Sequence, residues 1–161
     1  MYKYIPIITI LFLCSCKTTR YFVVRHAERA ESSVMSGDVP LSDAGKERAK
    51  ELRNDLTNEK ISHIFSTNYS RTKSTVQPLA DAIAVPVQVY DPRDSTFMGR
   101  LKTVKGNILI VGHSNTVDDL VNGLSGRKEL PGDLNDSQYG DLFVVKKKGK
   151  GFKVERGRFG N

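Results

Sequence analysis

The sequence has no tryptophan and only two cysteines, Cys14 and Cys16, both near its start. From Lys17 onward no disulfide can form and no thiol can serve as nucleophile or metal ligand. Long apolar runs are missing too. The N-terminal run Ile5–Leu13 holds nine residues, well short of the roughly 20 that a helix needs to cross a bilayer. There is no internal repeat, linker or low-complexity stretch, and no close grouping of ligand-type side chains suggests a metal site. What remains is 161 residues, 39% hydrophobic and 27% charged, the profile of one globular domain.

Most of the chain also lacks an excess of either charge. The formal net charge is +7, yet residues 146–161 hold seven basic side chains against Glu155 alone, and Lys3 supplies one more. Residues 17–145 balance, with 17 basic and 17 acidic side chains. The body therefore carries no signature of a nucleic-acid partner. The C-terminal excess reads as a solvated edge or as a patch facing an anionic membrane surface.

A lysine ahead of a short apolar run is the pattern of a secretory signal. Leu13-Cys14-Ser15-Cys16 resembles the lipobox of bacterial lipoproteins, with an apolar residue three places before Cys16 and a small one just before it. That resemblance implies a lipoprotein signal peptide over 1–15, lipidation of Cys16 and a domain over 16–161. The protein would sit in a bacterial cell envelope, anchored by lipid and facing the periplasm. A plain signal peptide or uncleaved anchor is the less specific alternative.

Within the domain, Tyr21–Val24 is an apolar run ending in Arg25-His26, the pattern of a buried strand. Ser42 is placed to cap a helix with Asp43 in its first turn and Ala49, Leu52 and Leu56 along its apolar face. A strand is expected over Ile61–Ser66. The next helix runs from about Tyr69, with Val76, Leu79, Ala80 and Ile83 on one side and a kink at Pro78. Strands follow over Val85–Tyr90 and Asn107–Val111. Asn115 is a candidate cap for a helix bearing Val117, Leu120, Val121 and Leu124. Two late strands, Asp141–Lys147 and Gly151–Arg156, flank the turn Lys148-Gly149-Lys150. Strands alternating with helices indicate an α/β fold, a three-layer α/β/α sandwich whose mainly parallel sheet ends in an antiparallel edge hairpin.

Three apolar strands end in polar residues: Val24-Arg25-His26, Phe65-Ser66 leading to Arg71, and Val111-Gly112-His113. In open α/β sheets ligands collect beyond strand C-termini, and helix N-termini there favour anions. Two arginines, two histidines and two helix starts would therefore meet in one phosphate-shaped crevice. His63 alternates with Ile61 and Phe65 and reads as packing; Asp118 and Asp119 read as a solvated helix face.

Arg25-His26-Ala27-Glu28 resembles the Arg-His-Gly signature of the histidine phosphatase (phosphoglycerate-mutase-like) superfamily, with Ala in place of Gly. Leu41-Ser42-Asp43-Ala44-Gly45, Ser66 with Arg71-Thr72, and Val111–Asn115 are similar to its later segments, in the same order. The resemblance implies a compact member that hydrolyses phosphomonoesters or phosphoramidates through a phosphohistidine on His26. Arg25 and Arg71 would clamp phosphate oxygens, and His113 would donate a further hydrogen bond. Arg29 and Ser114 would contact substrate. No metal or cofactor is required, and the partner would be a small phosphorylated substrate or a phosphoprotein.

The general acid departs from the family pattern. Ser114 occupies the position where one branch carries an acid. Asp91, directly after the third strand, is the first candidate for the other branch's carboxylate, followed by Asp94 and then Glu28, which could instead orient an arginine. An activity without a dedicated acid also fits, as does a catalytically weak phosphate- or phosphoprotein-binding module. Mutase activity ranks lower, because the loops are too short for a lid.

Overall fold

The computed structural model describes residues 18–31, 37–149 and 151–160. The expected signal segment, 1–15, and Cys16 lie outside them. Six strands form one sheet in the order β3-β2-β4-β1-β5-β6. Strands β1 (Thr19–Arg25), β2 (Ile61–Ser66), β3 (Val87–Val89) and β4 (Asn107–Gly112) are mutually parallel; β5 (Asp141–Lys148) and β6 (Gly151–Arg158) add an antiparallel edge. Helices α1 (Asp43–Leu56), α2 (Ser70–Ile83), α3 (Phe97–Leu101) and α4 (Ser114–Ser125) cover both faces. The expected three-layer sandwich with its edge hairpin is what forms.

Strand alternation divides the interior into two cores. Phe22, Val24, Leu109 and Val111 point to the α1–α2 face, where they meet Leu52, Leu56, Val76 and Leu79. Tyr21, Val23, Ile108 and Ile110 point the other way, onto Val117, Leu120, Val121 and Leu124 of α4. Central strands buried on both faces must be apolar at every position, which is why β1 and β4 read as unbroken runs.

Local chemistry sets the helix starts. Ser42 Oγ accepts from the Gly45 N–H at 3.1 Å and caps α1. A Cβ at Gly45 would collide with the Glu28 carbonyl, so the glycine allows α1 to sit against the loop after β1. Three details differ from the sequence expectation. Helix α4 starts two residues earlier: its N-cap is His113, whose N–H donates to Thr116 Oγ1 at 2.8 Å, so Asn115 lies inside the first turn. Strand β3 is confined to Val87–Val89, because Pro86 has no N–H for a ladder. Helix α2 runs through Pro78 as one element; the carbonyl robbed of its donor belongs to exposed Ser74, where water can serve it.

Candidate active site

The C-terminal ends of β1, β2, β3 and β4 open on one cavity of about 1080 Å³, lined by residues that include Arg25, His26, Arg71 and His113. Parallel pairing of β1 with β4 sets Arg25 beside Gly112, and the His26 N–H donates to the Gly112 carbonyl at 3.0 Å. The ladder thus extends one residue into the site. It brings the His26 and His113 rings to 5.4 Å between centroids.

His26 is 4% exposed. Its Nδ1 lies 2.8 Å from the Ala27 carbonyl. A carbonyl can only accept, so Nδ1 carries the proton and Nε2 keeps its lone pair. Burial, with additional repulsion from Arg25, His113 and Arg71, pushes its pKa down to about 3. The imidazole is therefore neutral and nucleophilic throughout the physiological range. Burial and the same two arginines lower His113 to about 4.

The arginines are held from different sides. Arg25 Nη1 donates to the Asn135 carbonyl at 2.8 Å, its Nη2 lies 3.4 Å from Asp136 Oδ1, and its guanidinium stacks 4.3 Å from the Tyr139 ring centroid. The loop making those contacts is itself fastened. Gln138 Oε1 accepts from the Asn135 N–H at 2.6 Å, and Gln138 Nε2 donates to buried Asp141 at 2.8 Å, which also takes Arg156. Arg71 lies 4.5 Å over the Tyr69 ring. Burial lowers its pKa, partly opposed by the Asp38 carboxylate. Both arginines carry a buried Nε–H with no acceptor among the described residues, a cost characteristic of donors kept for an anion.

Threonines join the segments. Ala27 N–H donates to Thr75 Oγ1 at 2.9 Å, and that hydroxyl donates to the Arg71 carbonyl at 2.7 Å, tying the His26 loop to α2. His113 Nε2 lies 2.9 Å from Thr67 Oγ1, which is 3.0 Å from Thr72 Oγ1. Helix starts α2 and α4 both face the cavity through Asn68, Tyr69, Ser114 and Asn115. Arg29 and Ser114 also line it.

The acid candidates fare less well. Asp91 is on the cavity wall, but its carboxylate accepts from the Arg93 N–H at 2.9 Å and from the Arg93 guanidinium at 3.1 Å. Those bonds hold it below the usual carboxylate range, where it carries no proton to give at neutral pH. Asp94 is not part of the lining and turns to Thr96 and Arg100, which bring it down to about 2. Glu28 is bound side-on by Arg48 at 2.8 and 2.9 Å, so it orients an arginine outside the cavity. His63 stacks on Phe65 away from the cavity.

Sequence reading missed Thr67, Thr75, Asn135, Gln138 and Tyr139. Thr67, Thr72 and Thr75 had a signal, since each sits within or beside the Ser66–Thr72 segment at the start of a helix. The loop 135–139 had none, because it has no periodicity and meets Arg25 only through the fold.

Comparisons agree with this geometry. No curated protein matches the chain by sequence. A candidate phosphohistidine phosphatase SixA from Agrobacterium tumefaciens is 19% identical, with a TM-score of 0.66 over 89% of this chain and 98% of that one. A candidate alpha-ribazole-5'-P phosphatase from Escherichia coli K-12 is 18% identical, with a TM-score of 0.70 over 87% and 96%. The protein histidine phosphatase SixA in complex with tungstate is 15% identical, with a TM-score of 0.67 over 86% and 96%. At such identities these likenesses establish the fold. The family model for the histidine phosphatase superfamily (branch 1) matches residues 21–101, a stretch that holds Arg25, His26 and Arg71. With its motifs in order, and His26 and His113 lining one cavity with Arg25 and Arg71, the chain belongs to the histidine phosphatase superfamily, branch 1.

Proposed function

We propose that the protein is a phosphatase acting through a covalent phosphohistidine on His26, with a preference for phosphoramidates and for phosphomonoesters whose leaving groups depart readily. The observation that carries this reading is the buried neutral imidazole, its Nδ1 proton committed to the Ala27 carbonyl, in a cavity shared with two guanidinium groups and a second histidine. Nε2 attacks phosphorus and forms a P–N bond as the bond to the leaving group breaks. Arg25 and Arg71 stabilise the charge on the phosphoryl oxygens; His113, bonded through Nε2 to Thr67, contributes when the bound anion draws a second proton onto its ring. Water then attacks the phosphohistidine, releasing phosphate and restoring His26.

The leaving-group preference follows from the acids. Asp91 is committed to Arg93, so the scheme assigns no enzyme carboxyl to protonate the leaving atom. A phosphoramidate already protonated on nitrogen leaves as a neutral amine without such help. The same observation supports the second reading, a phosphate- or phosphoprotein-binding module with weak turnover. Steady-state hydrolysis of phosphoramidate, para-nitrophenyl phosphate and glycerol phosphate separates them. The enzyme reading expects turnover of the first two, slow release from the third, and loss of all turnover in His26→Ala. Phosphate binding without turnover of any of them supports the module. The scheme routes no step through a metal, so a chelator should leave the rate unchanged.

The proposal extends to location: a lipoprotein of a bacterial envelope, anchored through Cys16. Support comes from the apolar run and the lipobox-like Leu13–Cys16. Cys16→Ala should release or mislocalise the protein, and unchanged membrane association would count against the anchor.

A further inference from the structure

The N-terminal segment enters the domain at Thr18, at the end of the sheet opposite the cavity. Parallel pairing puts the starts of β1, β2, β3 and β4 together there. Antiparallel pairing brings the hairpin to the same end, since Thr19 is in register with Lys147 and Lys148 with Gly151. Helices α1, α2 and α4 run back from the cavity, so the residues after their C-termini arrive there too. Contacts confirm this meeting. The Glu59 carbonyl, just after α1, accepts from Asn107 Nδ2 at the start of β4, and Arg20 of β1 pairs with the Glu59 carboxylate at 2.5 Å.

That end is basic. Lys60, Lys105, Arg127, Lys128 and Lys153 are exposed on it, and Lys147 is half-buried over Phe152. Lys148 ends β5 beside it. Against them stand Glu129, Asp55 and Asp81, the last in the final turn of α2, while Glu59 and Glu155 are already paired, with Arg20 and with Lys146 and Lys153. The balanced charge of residues 17–145 is therefore unevenly spread, and the hairpin lysines add to the same end, whereas Arg156 and Arg158 pair with Asp141 at the other.

We propose that this end is a docking face for the anionic phospholipid surface of the bilayer that holds the anchor. The proposal rests on the reading of Cys16 as lipidated, which leaves only Lys17 and Thr18 between the lipid and β1. So short a tether, at most about 10 Å when extended, keeps this end at a distance comparable to the Debye length of about 8–10 Å over which surface charge acts. Each lysine near an anionic surface strengthens association about fivefold. The cavity then faces away from the bilayer, across the roughly 23 Å that seven residues of β1 span. Substrates are accordingly water-soluble molecules or protein domains, and a phospholipid of the same leaflet is out of reach.

Amine footprinting tests this on full-length protein made in a bacterium, purified and reconstituted. Labelling is compared in detergent, in phosphatidylcholine vesicles, and in vesicles that also contain phosphatidylglycerol; the N-terminal peptide is weighed for acylation. Lys60, Lys105, Lys128 and Lys153 should label several-fold more slowly in the anionic vesicles than in detergent, with protection reduced by salt. Lys46 and Lys73, near the cavity end of α1 and α2, should label alike in all three. Replacing the four protected lysines with Glu should abolish protection of Lys147 while leaving hydrolysis of a soluble substrate intact. An unacylated chain overturns the anchor reading and the proposal with it. An acylated chain whose basic-end lysines label like Lys73 overturns the docking face alone. So does protection that requires an added acidic polymer rather than anionic lipid, which would point to a soluble partner.

Discussion

The two ends of the sheet both gather cations, and they handle them in opposite ways. At the cavity end Arg25 is 5% exposed, stacked on Tyr139 and bonded to a carbonyl of a loop that is itself pinned through Gln138 and Asp141. At the other end Lys60, Lys105 and Lys128 stand in solvent. A rigid, half-desolvated guanidinium fork is preorganised for one oxyanion at one position. Solvated lysines on long stems confer no such geometry and interact with a diffuse negative surface. The same unit charge is therefore suited to fixing an oxyanion at one end and to diffuse attraction at the other, as proposed above.

This contrast can be broken most severely at the nucleophile. His26→Ala should lower turnover of para-nitrophenyl phosphate by about 10⁴-fold or more, while circular dichroism shows the fold retained. Next in size are the fixed cations: Arg71→Ala should cost on the order of 10²–10³ in kcat, and Arg71→Lys should recover only part of it, since a point charge does not reproduce the fork.

A smaller effect is expected on stability. The folded pKa values of His26 and His113, about 3 and about 4, lie below the ordinary imidazole value of 6.5. The unfolded chain thus binds more protons in this range, and stability should be fully present above pH 6.5 and fall as pH drops toward 4. The loss should be on the order of 1–2 kcal/mol per ring between pH 6.5 and about 5, read from denaturant unfolding at several pH values. His26→Gln should flatten the dependence. The acid limb of kcat/KM should likewise sit well below pH 6.5 once substrate ionisation is allowed for.

Smaller again is Gln138→Leu, which cuts the link between Asp141 and the loop that holds Arg25. A loss of roughly tenfold, mostly in KM for phosphate esters, is the expected signature of a loosened oxyanion fork. Lysine-to-glutamate changes at the opposite end should alter kcat/KM for a soluble substrate by less than about twofold.

Much of the scaffold was legible in the sequence because burial leaves a strong pattern. Strands β1 and β4 had to be apolar at every position, and α1, α2 and α4 had to show one apolar face each. That Arg25, His26, Arg71 and His113 would meet in one cavity was legible because each member follows a strand. What escaped is what tertiary contact decides. Helix α3 is one turn and a half, too short for periodicity to register, and is held by Phe97 against Tyr90 at 4.3 Å. Loop 135–139 grips Arg25 across more than a hundred residues of chain. Asp91 had the right place for an acid, yet nothing in its position told that Arg93, two residues on, would fold back and hold it ionised.

The central claim is that His26 itself carries the phosphoryl group. Mixing the protein with phosphoramidate, quenching in alkali where phosphohistidine survives, and mapping the phosphate by mass spectrometry addresses it directly. The expected result is label on His26 that forms and decays at rates consistent with turnover. Label on His113, or undiminished hydrolysis with His26 never modified, would contradict it.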